Sequence, residues 1–181
     1  MAKLAKYSQV KPLSVPAKLN IGDTIPYLGR DLELVVHKDQ SADSVKLLHN
    51  RLLVSLKSIH DGSLALALEW WYRTQGVQII KKRAEELSPL LQVSYNRLSI
   101  RGQKTRWGSC SQRGNLSFNW KLIMAPEPVI DYVIIHELAH LKEMNHSKRF
   151  WKLVAEICPR WREHRRWLKE HEASLAAKLK A

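Results

Sequence analysis

An α+β fold is predicted for this 181-residue chain on three observations. The first third alternates apolar and polar residues in short runs broken by turn signals, the period of half-buried strands. A long helical run follows. The second half carries His136-Glu137-Leu138-Ala139-His140 in an apolar stretch, with His146 six residues on.

The elements follow in order. Residues 1–20 show no periodicity, and Pro12 and Pro16 mark an N-terminal arm. Residues 21–60 read as a small antiparallel β-meander. Pro26-Tyr27-Leu28-Gly29 gives a short strand and turn. Leu32, Leu34 and Val36 alternate with polar neighbours, and Val45–Leu48 and Leu52–Leu56 flank a hairpin at His49-Asn50-Arg51. His37 and His49 read as ordinary strand and turn residues. Asp61-Gly62-Ser63 closes the meander and opens a long helix from Leu64 to about Leu91. Its core face holds Leu64, Leu68, Trp71 and Tyr72, and Arg73, Lys81, Lys82, Arg83, Glu85 and Glu86 face water. Gly76 marks close approach of another element. Residues 61–181 form the catalytic region, and the whole reads as one compact domain.

Strand signals return at Tyr95–Arg101, and a hairpin follows from Thr105–Ser111 through Gln112–Asn115 to Leu116–Trp120. Leu116–Trp120 is the candidate strand for holding an extended substrate by backbone pairing. Ala125-Pro126-Glu127-Pro128 opens the next helix, since proline is tolerated in a first turn. That helix is expected to run to about Met144 and to stop at a left-handed Asn145, swinging His146 back. Ser147 is the N-cap of a helix over Lys148–Cys158, and Pro159 ends it. A last basic helix starts near Trp161.

Composition bounds the function. An apolar fraction of 45% supports a real core. No uninterrupted apolar run reaches the ~18 residues of a membrane span, and Met1–Lys11 lacks a secretory h-region. Two cysteines, Cys110 and Cys158, make no disulfide framework, so the expected location is cytoplasmic. The net charge of +13, with Arg160, Arg162, Arg165, Arg166 and Lys169 close together, points to an anionic partner. Such a run is also how a solvated helix face reads.

The chemistry lies in H-E-x-x-H-x5-H. Residues four apart share one helix face, so His136 and His140 can close on one metal ion. Glu137 lies beside that ion without binding it, the place for a base acting on water. A catalytic zinc takes three protein ligands and keeps a position for water, and His146 is the third candidate. A structural coincidence would have to explain two His and a Glu in a helix apolar nearly all round, where charged groups need partners. Cys110 is a weaker candidate as a fourth ligand, because a closed site would exclude water.

On these residues the chain resembles the YgjP-like metallopeptidase domain family, which is similar to the WLM and SprT-like zinc proteases. The resemblance rests on Tyr27-Leu28-Gly29, Trp71-Tyr72-Arg73, Arg106-Trp107-Gly108-Ser109-Cys110, Asn119-Trp120, Ala125-Pro126, Asp131-Tyr132-Val133, His136–His140, Asn145-His146-Ser147 and Phe150-Trp151. It covers about Ile21–Glu170. It implies a zincin-like α+β architecture, one Zn2+ per chain on His136, His140 and His146, and Glu137 as general base. Metzincins carry a glycine where this chain has Glu143, so their turn does not fit. A thermolysin-like glutamate ligand would have to be Glu156 or Glu163, both ranked below His146.

The leading expectation is a zinc-dependent hydrolase, specifically a metallopeptidase. One alternative is a phosphoanhydride hydrolase acting on nucleoside triphosphates, in which Mg2+ or Mn2+ would also serve, although three imidazoles favour a softer metal. Another is a nucleic-acid-associated protease or binding protein, docking through the basic C-terminal helices. Arg106 is a candidate donor to the oxyanion, with a surface ion pair as its plainer role.

Overall fold

The structure, a computed structural model, describes residues 23–39, 41–59, 62–103 and 106–177. The N-terminal arm lies outside the described residues. The chain falls into two compact units. One comprises the described residues of 23–25, 32–70 and 176–177. The other comprises Pro26–Asp31 and Trp71–Leu175.

The first unit is built on a sheet of β1 (Thr24–Tyr27), β2 (Arg30–Lys38), β3 (Ser44–Leu48) and β4 (Arg51–Leu56), in the order β1-β2-β4-β3. The α+β class holds, but the expected antiparallel meander does not. β2 runs parallel to β4, Leu34 opposite Leu52 and Val36 opposite Val54. β3 and β4 form the expected antiparallel hairpin, with His49 at φ 53° in its turn. Burial explains the order. Leu52, Val54, Ser55 and Leu56 of β4 are all buried, while β3 exposes Lys46 and Leu48. The more apolar strand takes the middle and the lysine-bearing strand takes the edge, where a charge blocks further pairing. His37 is an ordinary strand residue, its Nε2 2.7 Å from Ser55 Oγ.

Helix α1 (Ser63–Leu87) begins in the first unit and continues into the second. It stops a turn earlier than the apolar pattern implies, and Leu91 is buried beyond it. Within the second unit Tyr72 is fully buried, its hydroxyl donating to the Pro26 carbonyl at 2.6 Å. Gly76 packs on Ile100 and Ile123, where an added Cβ would make ordinary 3.5 Å contacts. Arg83 departs from expectation. It is half-buried and donates two bonds, 2.8 and 2.7 Å, to the Asp131 carboxylate. The Asp131 carboxylate beside it raises its pKa above an already high value. The charge that interrupts the apolar helix is thereby paired.

The second unit holds a three-stranded sheet, β5 (Arg97–Arg101), β6 (Gly108–Cys110) and β7 (Asn115–Asn119), in the order β5-β7-β6. β5 is parallel to β7, and β6 is antiparallel to it. The predicted hairpin is present, but β7 is the middle strand and is paired on both sides. It has no free edge for a substrate, so that expectation is corrected; β5 and β6 are the edges. Asn119 ends β7 by accepting from Lys121 N at 3.2 Å, which starts a buried 3₁₀ turn over Trp120–Met124. Its amide also donates to the carbonyls of Gln103 and Arg106 at 2.8 and 3.2 Å. Leu28 N bonds Ile123 O at 2.8 Å, and Gly29, at φ 77°, leaves no room for a Cβ against Pro126. The entry to α2 (Glu127–Ala139) is fixed in this way. Helices α3 (Lys148–Ile157) and α4 (Trp161–Ala177) complete the unit. No described helix is long and apolar enough to cross a membrane.

Candidate metal centre

Helix α2 is buried on nearly every side: Val129, Ile130, Val133, Ile134, Ile135, Leu138 and Ala139 are all inside. Its His136 and Glu137 therefore sit at the boundary between core and cleft. The helix ends at Ala139, a turn and more before Met144, and His140 is its C-cap in right-handed conformation. The end tightens through Leu141 N to Leu138 O and Lys142 N to Ala139 O, the i→i+3 pattern that satisfies terminal carbonyls. Asn145 is not left-handed among the described residues; a bend at Met144 and Asn145 returns the chain. Ser147 caps α3 as expected, accepting from Phe150 N at 3.2 Å.

The outcome of this turn is convergence. The ligand atoms of His136, His140 and His146 all lie within 4.8 Å of one another. His136 Nε2 and His146 Nε2 are 3.0 Å apart. His140 Nδ1 is 3.2 Å from the Glu143 carbonyl, which orients the ring and leaves Nε2 for a metal. Cys110, Glu156 and Glu163 do not belong to the group; Glu163 instead accepts from Arg160 at 2.6 Å.

The protonation state of the rings suits metal ligation. Burial pushes the His136 pKa down to about 3, helped by its neighbours His140 and His146, so the ring is neutral over the physiological range. His140 is lowered too, first by burial. Neutral imidazoles are the form that ligates metal. His136 Nδ1 is buried without a protein hydrogen-bond partner, so this ring is held by packing, with Phe150 at 4.9 Å and Trp151 at 5.8 Å. The donor set fits a borderline-soft divalent ion.

Glu137 is 5% exposed, and burial raises its pKa to about 8 against the opposing pull of Arg106. It lies against β6: a Cβ on Gly108 would stand 2.6 Å from Glu137 Oε1. The sequence reading passed over Gly108, although its place in Arg106-Trp107-Gly108-Ser109-Cys110 was visible. Burial also pushes the Cys110 thiol up to about 11, with Glu137 adding to it, so this cysteine is a neutral neighbour.

A cleft of about 380 Å³ opens on His136 and Glu137, lined also by Arg106, Trp107, Gly108 and Tyr132 and by Arg165, Leu168, Lys169 and Glu172 of α4. Arg165 and Lys169 stood in the sequence only as part of a basic run. A larger hollow of about 490 Å³, lined by Leu28, Ile79, Arg83 and Asp131 among others, has none of the three histidines in its wall.

A family model described as YgjP-like, metallopeptidase domain, matches residues 1–171. The chain belongs to this family. As a YgjP-like metallopeptidase domain it is a metal-dependent hydrolase. The chain is also 44% identical over 39 residues to UTP pyrophosphatase of Escherichia coli (strain K12), a stretch of 22% of this chain and 23% of that protein. Two solved structures are similar in part. One is the metallopeptidase zymogen of Pyrococcus abyssi abylysin, with TM-score 0.47, 26% identity, 51% of this chain and 95% of that one. The other is the metallopeptidase zymogen of Methanocaldococcus jannaschii jannalysin, with TM-score 0.42, 22% identity, 49% and 94%.

Proposed function

We propose that this YgjP-like domain is a zinc-dependent hydrolase in which His136, His140 and His146 hold the ion and Glu137 is the general base. The observation that carries the reading is the convergence of three imidazoles beside a buried carboxylate. Zinc, when bound, supplies Lewis acidity that acidifies water and polarises the scissile group. Glu137 takes the proton of the attacking water and returns it to the leaving group. Burial keeps that carboxyl basic enough for the exchange near neutrality. A neighbouring cation would pull its pKa back toward the acid range.

The cleft argues for the substrate class. Arg106, Arg165 and Lys169 line it and make no ion pair with a carboxylate among the described residues. Against the two carboxylates of the same wall, Glu137 and Glu172, these three cations leave the cleft net positive even before a metal is added, which favours an anionic ligand. A nucleoside triphosphate supplies that charge: water attacks a phosphorus, the phosphoanhydride bond breaks, and the three side chains hold the phosphates. The 39-residue likeness to UTP pyrophosphatase agrees with this reading. On the charge of the cleft we rank a phosphoanhydride ahead of the peptide expected from the sequence. The peptide reading is favoured by the metallopeptidase family model that matches residues 1–171 and by one feature of the fold. β6 is an edge strand, and Gly108 on it touches Glu137, so an extended peptide could pair there.

The test uses purified full chain, its metal content, and a panel of casein and nucleoside triphosphates. Glu137→Gln should keep one zinc per chain and lose turnover by about 10²–10⁴-fold. Retained turnover would remove Glu137 as base. Cleavage of casein alone would return the peptide reading to first place. A chain that folds and binds no metal would end both.

A further inference from the structure

Rings, more than hydrogen bonds, hold the three imidazoles in place. Phe150 of α3 is fully buried, and its ring centroid lies 4.9, 4.5 and 4.8 Å from those of His136, His140 and His146. His146 is the least secured of the three. It is exposed and lies in the loop after α2. The group within hydrogen-bonding distance of its ring, among the described residues, is His136 Nε2, on the side a metal would occupy. A ligating histidine is usually oriented by a hydrogen bond from its other ring nitrogen. Here the ring instead lies nearly parallel to Trp151, with centroids 5.6 Å apart and planes at 20°.

Trp151 is itself pinned. It stacks on buried Trp161 at 4.1 Å and 17°. Arg165 lies over Trp151 at 5.4 Å, and Arg162 over Trp161 at 4.5 Å. The ring column runs from the loop histidine to the first turn of α4. Such offset-stacked rings restrict each other's rotation and add attraction beyond their buried area.

We propose that Trp151 is a positioning residue for the third metal ligand: backed by Trp161, it holds the His146 imidazole in the plane that turns Nε2 toward His136. This rests on the metal-site reading above. An imidazole on an exposed loop samples several rotamers, and the stack leaves it one. Losing the stack restores that freedom, which metal binding must then remove.

The experiment titrates the full chain with zinc against a competing chelator and records the visible spectrum of the cobalt-loaded protein. Trp151→Leu removes the ring at similar apolar character, Trp151→Phe keeps a ring, and His146→Ala marks loss of the ligand. Trp151→Leu should lower zinc affinity by about tenfold or more. Its cobalt band should change toward that of His146→Ala, with Trp151→Phe between it and wild type. Unchanged affinity overturns the proposal. So does lowered affinity with a wild-type cobalt spectrum, because the third ligand would then still be in place. Should Trp151→Leu fail to fold, Trp151→Met is read by the same two criteria. If wild type binds no zinc, the metal-site reading falls and takes this proposal with it. If wild type binds zinc and Trp151→Leu matches it, this proposal falls alone.

Discussion

In the first sheet the middle strand β4 pairs in parallel with β2 and antiparallel with β3; in the second, β7 does the same with β5 and β6. The plans match and the edges differ. β3 has five residues and presents Lys46 and Leu48 to solvent. β6 has three, Gly108, Ser109 and Cys110, all small. A helix contacts this second edge closely enough that Glu137 of α2 occupies the space a side chain at position 108 would take. The proposed base sits where an edge strand carries a glycine.

The largest effect expected from this difference is at Gly108. An alanine there would put a methyl 2.6 Å from Glu137 Oε1 and 2.7 Å from its Cγ. The carboxylate must move, and its helix is too buried to follow. Gly108→Ala should lower kcat/KM by about 10²-fold, the usual result of a misplaced catalytic group, and stability by about 1–3 kcal/mol. Zinc stoichiometry should hold, since the atoms nearest the added methyl belong to Glu137 and not to the three histidines. Lys46→Ala on the other edge should change neither activity nor Tm. Near-normal turnover by Gly108→Ala would show that the seat of Glu137 is loose.

What sequence made legible follows from how each feature is written. The three-histidine group was readable because helical spacing forces His136 and His140 together and a serine cap fixes where α3 restarts. Strand pairing was not readable. Alternation at Leu32 and Leu34 marks a buried face but does not say that β4 lies beside it in parallel. The end of α2 was missed for a related reason: the residues after His140 look helical, but the turn is closed by i→i+3 bonds and the Glu143 carbonyl contact to His140. Arg83 looked solvated because its partner, Asp131, lies 48 residues away. The cleft cations were equally hidden, since Arg106 and Arg165 meet only in the folded chain.

A second contrast is in titration. The site carries a carboxyl raised to about 8 and an imidazole lowered to about 3. Between about 4.5 and 8 the folded Glu137 holds a proton that the unfolded chain releases, so stability falls as pH rises through that window. Between about 3 and 6.5 the unfolded His136 binds a proton that the folded ring refuses, so stability falls as pH drops through it. The two oppose each other between about 4.5 and 6.5. Urea unfolding in the presence of chelator should therefore show stability declining from pH 6.5 to 8, by at most a few kcal/mol at ~1.4 kcal/mol per unit. Glu137→Gln should flatten that decline. A decline of equal slope in Glu137→Gln would assign it to other groups.

The smallest effect separates two kinds of histidine. His37 of β2 is exposed and shares a hydrogen bond with Ser55 at 2.7 Å. His136 has a buried nitrogen without such a partner and a second nitrogen turned to His146. A histidine satisfied by its neighbour across the sheet does structural work only. His37→Ala should lower stability by about 0.5–1.5 kcal/mol, the usual range for one hydrogen bond, and leave zinc stoichiometry and turnover at wild-type values. His136→Ala should lose the metal. Zinc loss in His37→Ala would mean that the first sheet contributes to the centre, and the contrast between the two edges would fail at its root.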